Sequence, residues 1–209
     1  MLIPPLHSGE LVADSGEIGV RQNARLTALT AGLLLVLLFL EGLTIVQIGS
    51  LIVLHFVIGF LLLAPVALKL GTTSYKIVRY YSGDAAYVAE GPPNIVRRLL
   101  GPVVMLLTIG LFASGVALAF VGPRNIGPWL FLHKASFVLW FMAMTLHVLI
   151  HLSGTLLAGV NEYFERRKRP LAGWSTRQFV LLGTLAIGVA LGVWSLAFTS
   201  AWQHVILGQ

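Results

Sequence analysis

The side chains best suited to chemistry in this chain are its histidines, and several stand inside long apolar runs. His55 lies within LIVLHFVIGFLLLAPVAL, while His133 and His147 share WLFLHKASFVLWFMAMTLHVLIHLSG, which also carries His151. An ionisable group inside a membrane span is costly and marks a functional site by default. No carboxylate neighbours these imidazoles in sequence. They therefore suit the ligation of a buried electron carrier, with haem the leading candidate.

The elements that must hold them are membrane helices. The chain has 209 residues, is 57% hydrophobic and 11% charged, and has a mean hydropathy of +0.88. Long uncharged runs at this composition read as spans, and in lipid the backbone must satisfy its own hydrogen bonds, which a helical bundle does. The expectation is one all-α, polytopic domain over residues 1–209. Its five spans fall near 26–48, 51–70, 99–121, 129–158 and 178–200. The first two are joined only by Gly49 and Ser50, and the fourth is long enough to tilt or project.

The absence of cysteine excludes disulfides, thiolate-held zinc, iron–sulfur clusters and covalently attached haem on this chain. The first 20 residues carry Glu10, Asp14 and Glu17 rather than a basic start, so no signal peptide is expected. The net charge of +6 needs no nucleic acid to explain it. Twelve of the 14 lysines and arginines fall in the N-terminal arm and the loops 69–98 and 159–177, against Arg124 and Lys134 on the other side. That asymmetry predicts the N-terminus inside and the C-terminus outside the cell's inner (cytoplasmic) membrane. The tyrosine-rich loop SYKIVRYYSGDAAYVAEGPPN reads as a headgroup anchor or, alternatively, a docking surface, and ERRKR as a topological charge cluster.

With this orientation the second and fourth helices both descend from the outer side. His55 and His133 each lie about five residues in, ~7 Å below their helix starts. Imidazoles at one depth on two helices are what bis-histidine ligation of a porphyrin requires. Gly59, one turn from His55 on the same face, leaves room for a flat macrocycle or simply for close helix packing. His147 lies ~21 Å further along the fourth helix and projects to nearly the same side as His133, with His151 one turn beyond. His147 and His151 could also bind a divalent metal.

In these features the chain resembles the membrane-embedded di-haem cytochrome b subunits of formate dehydrogenases and nickel–iron hydrogenases, within the wider bacterial cytochrome b561-like group. The resemblance implies an outer haem b held by His55 and His133, and an inner one held by His147 and a histidine near the inner end of the first helix. That helix has no histidine: its inner end reads RQNARLTALTAG. His7, Met105 and His151 are the remaining candidates for the inner site, so one haem b is expected and a second only if one of them serves.

Glu41 is the only acid within a span, at about the depth of the outer histidines, and should face the interior, satisfied by Thr44, Gln47 or a facing hydroxyl, or exchange protons at a quinone pocket. Arg124 and Lys134 stand where haem propionates would emerge; His204 lies past the last span. The expected function is an electron-transfer subunit rather than a self-sufficient enzyme. It would pass electrons between a peripheral redox subunit, docked on the outer side, and the quinone pool. The alternative is a non-redox structural or assembly subunit of a membrane complex with hydrogen-bonded histidines; a transporter is a more distant third.

Overall fold

A computed structural model describes residues 8–91, 95–168 and 174–207, with 8–15, 17, 97, 125, 151–168, 174, 206 and 207 as backbone alone. The described residues form helices and connecting turns, without a strand. Six α-helices follow in order: α1 Ser8–Val46, α2 Ile48–Tyr81, α3 Ala85–Ala89, α4 Ile95–Val121, α5 Gly127–Lys168 and α6 Trp174–Leu207. All but α3 contain a segment long and apolar enough to cross a membrane.

The long helices overrun the expected spans at most ends. α1 starts 18 residues before position 26, and α2 continues to Tyr81 instead of residue 70. Apolar patterning marks only the stretch that lipid requires; backbone hydrogen bonding carries a helix on into water wherever nothing breaks it. At 34 residues, α2 is ~51 Å long against a hydrocarbon core of ~30 Å. The reversal between α1 and α2 centres on Gln47 (φ −130°, ψ 49°), whose carbonyl accepts from the Ser50 and Leu51 amides at 3.1 and 3.0 Å. Gly49 and Ser50 therefore form a single helical turn at the tip of the hairpin, closed by the non-helical Leu51.

Past the bilayer, Asp84 caps α3, accepting from the Ala86 and Tyr87 amides at 3.1 and 3.3 Å, and pairs with Arg79. Tyr87 is buried against Tyr75, and Lys76 pairs with Glu90. This small cap turns the chain from α2 towards α4.

Packing divides the bundle unevenly. α2 lies most extensively on α6, then on α1; α4 lies on α5; and α1 also touches α5. α2 and α5 share no extended contact, so they are diagonal partners in a four-helix arrangement of α1, α2, α4 and α5, with α6 against the outer face of α2. The α2–α6 seam is close because of two glycines. A Cβ on Gly188 would stand 2.6 Å from the Leu61 carbonyl oxygen, and one on Gly192 2.8 Å from that of Val57. Small residues four apart let membrane helices approach in this way. Leu61 lies four residues before Pro65, which has no N–H to return to it, so its freed carbonyl points into the seam where Gly188 gives it room. Phe56, Phe60, Trp194, Phe198 and Trp202 continue the seam as contacting rings 5.1–6.4 Å apart.

Two apolar layers bracket the space between the diagonal helices. Towards the α1–α2 turn, Ile52, Leu118 and Trp202 are buried together, with Val53, Phe56, Ile126 and Leu130 packed on them. Deeper in, Leu34, Leu62 and Val66 form a second cluster with Leu37, Leu38, Ile58 and Phe112.

Candidate functional site

His55 and His133 both lie beside the cluster nearer the α1–α2 turn. His55 is one turn from Ile52, and His133 one turn from Leu130; both of those residues belong to the same apolar cluster. Each imidazole is seated by a different neighbouring helix, and each is held through its Nδ1 atom.

His133 reaches from α5 to α4. Its Nδ1 lies 3.2 Å from the Leu111 carbonyl oxygen and 3.1 Å from Ser114 Oγ. A carbonyl can only accept, so Nδ1 carries the hydrogen. Ser114 spends its own proton on the same carbonyl, at 2.9 Å, and meets the imidazole as an acceptor. Gly115 makes the approach feasible: a Cβ there would stand 3.1 Å from His133 Cε1. About two turns deeper, Trp140 Nε1 donates to Thr108 Oγ1 at 2.9 Å and locks α5 to α4 in this register.

His55 turns from α2 to α1. Its Nδ1 lies 2.9 Å from Glu41 Oε1 and 2.9 Å from Thr44 Oγ1. The Thr44 hydroxyl donates to the Glu41 carbonyl at 2.6 Å, so it too accepts from the ring. Assigned from these networks, both histidines are Nδ1-protonated when neutral, which leaves the Nε2 lone pair of each as the ligating position. An imidazole whose Nδ1–H is held by a carbonyl or carboxylate is the usual preparation of a metal ligand. The described residues contain no group of three or more histidine, cysteine or acidic side chains that would cage a bare metal ion; a porphyrin iron needs only two axial donors from protein.

The other residues singled out from sequence fall elsewhere. Gly59 has a different neighbour from the one expected of it: a Cβ there would meet Glu41 Oε1 at 3.2 Å, so its bareness admits the carboxylate. Arg124 is exposed in a short 3₁₀ turn, Pro123–Asn125, and lines a cleft of about 550 Å³ with Gly122, Ser200 and His204. Lys134 is exposed beside His133. His147 is half-buried on α5 and engaged by a neighbour; Met105 is half-buried on α4. The His151 side chain and all of His7 lie outside the described residues. Sequence reasoning missed Leu111, Ser114 and Gly115. Their only signal is a serine–glycine pair in an apolar helix, a pattern that ordinary packing also produces.

The chain matches no family model, no curated protein and no solved structure.

Proposed function

We propose that this chain is an integral membrane cytochrome b in which His55 and His133 are the axial ligands of one b-type haem, serving electron transfer between a peripheral oxidoreductase subunit and membrane quinone. The observation that carries this reading is the pair of matched seats. Two imidazoles on diagonal helices, each one turn from a member of the Ile52–Leu118–Trp202 cluster, have Nδ1 tied back to neighbouring helices and Nε2 left as the donor. Hydrogen-bonded histidines also hold helices together in proteins without cofactors. That alternative explains each seat alone, but gives no reason for two alike beside one cluster.

Bound there, the group would supply a one-electron carrier buried in the bilayer. The chain's own residues perform the rest. α1 and α4 orient the imidazoles, the Ile52–Leu118–Trp202 layer shields them from water at one end, and Arg124 and Lys134 supply cations at that end for acidic substituents. His147, on the same helix, is the candidate ligand for a second haem. The charge asymmetry supports an inner-membrane location with the N-terminus inside, which puts the His55–His133 level near the outer surface, where the donor subunit would dock. The chain lacks the cysteines of a cluster, so its electrons must come from that partner, and a quinone accepting two of them takes up two protons.

The test is haem quantification on the purified full chain with a reduced-minus-oxidised spectrum. One haem per chain, lost in His55→Ala, is expected; a colourless protein, or a spectrum that survives His55→Ala, would overturn the assignment.

A further inference from the structure

The two seats are alike in design and unequal in chemistry. We infer that Glu41 is a positioning residue that fixes His55 as Nδ1-protonated and makes it the stronger electron donor of the pair. The second half of this inference rests on the proposed haem ligation; the first does not.

Three observations converge on Glu41. Its carboxylate lies 2.9 Å from His55 Nδ1 and is only 14% exposed. Its second oxygen, Oε2, is buried with no hydrogen-bond partner among the described residues, so no lysine or arginine competes for the carboxylate at that atom. The fold also makes room for it, since Gly59 on α2 is bare where any Cβ would press on Oε1 at 3.2 Å. Glu41 lies six residues before the reversal at Gln47 and His55 eight after it. The hairpin therefore brings carboxylate and ring to one height without a long reach.

His133 has no such partner. Its acceptors, the Leu111 carbonyl and the Ser114 hydroxyl, are both neutral. Hydrogen bonds to an ionised acceptor are roughly twice as strong as those between neutral groups. A stronger pull on Nδ1–H raises the basicity of Nε2. Hydrogen bonding to an axial ligand is one of the levers by which a protein sets an iron centre's potential. The carboxylate side of the site thus favours the oxidised state.

Glu41→Gln keeps the size and an accepting oxygen but removes the charge. In the purified protein we expect haem content to be retained and the reduction equilibrium to move about tenfold towards the reduced form, a rise of ~59 mV for a one-electron couple. Ser114→Ala, at the neutral seat, should move it less. Retained haem with an unshifted potential in Glu41→Gln overturns the inference while leaving the haem assignment intact. The tautomer is read separately by ¹⁵N-histidine NMR on haem-free protein in detergent. His55 should be Nδ1-protonated in the wild type and lose that preference in Glu41→Gln. An Nε2-protonated or unbiased His55 in the wild type overturns the positioning role even if haem never binds.

Discussion

The seats of His55 and His133 reuse one device. On α1 a threonine hydroxyl turns back to the carbonyl three residues earlier, and on α4 a serine hydroxyl does the same; in each case the hydroxyl oxygen then faces an imidazole Nδ1. They differ in the second acceptor, a side-chain carboxylate for His55 and the backbone carbonyl of Leu111 for His133. The glycines differ in the same sense. Gly59 makes space for the acceptor, whereas Gly115 makes space for the ring itself. A backbone carbonyl cannot be mutated or displaced cheaply, so α4 provides a rigid seat and α1 an adjustable one.

The most disruptive test of this contrast is removal of the rings. His133→Ala should abolish haem binding as fully as His55→Ala, measured as haem per chain; retention in either variant would mean that the two seats do not serve one cofactor. Next come the hydroxyls. Loss of an outer-shell partner commonly costs 10–100-fold in metal affinity. Ser114→Ala should weaken haem retention by about tenfold in a transfer assay to an apo-globin acceptor. Thr44→Val should cost less, because Glu41 still accepts from the ring; a larger effect for Thr44→Val would reverse the ranking of the seats. The glycines give the smallest and sharpest readout. Gly115→Ala must push the His133 ring by a few tenths of an ångström and should alter the ligand-field spectrum while keeping haem, at a cost of about 1 kcal/mol in thermal unfolding. Gly59→Ala acts on the carboxylate and should reproduce, more weakly, the potential shift expected of Glu41→Gln.

Much of the scaffold was legible from the residues alone. Five long apolar runs require five helices once lipid is the solvent, and the described residues contain five that qualify. Helix ends were less legible, because α1 and α2 continue beyond their apolar stretches, α2 straight through Gly71 at the expected end and α1 through Gly16 and Gly19. In the site, the histidines declare themselves by being ionisable in apolar company. Their seats do not, since Leu111 contributes only its carbonyl and every residue has one. Glu41 was visible as an isolated acid, but its expected partners were Thr44, Gln47, a facing hydroxyl or a quinone. The structure pairs it with His55, a contact across the hairpin that local spacing does not reveal. Gly59 was assigned room for a cofactor; the room is used by Glu41.

The order of the chain gives the α2–α6 seam a further meaning. α2 precedes α6 in the chain, yet α6 is its largest neighbour. The oxygen freed by Pro65 lacks its helical donor, and in lipid an unsatisfied backbone group costs several kcal/mol. Gly188 brings no side chain against that oxygen, so the two backbones meet closely there. The seam can therefore close only after α6 has followed α2 into the bilayer.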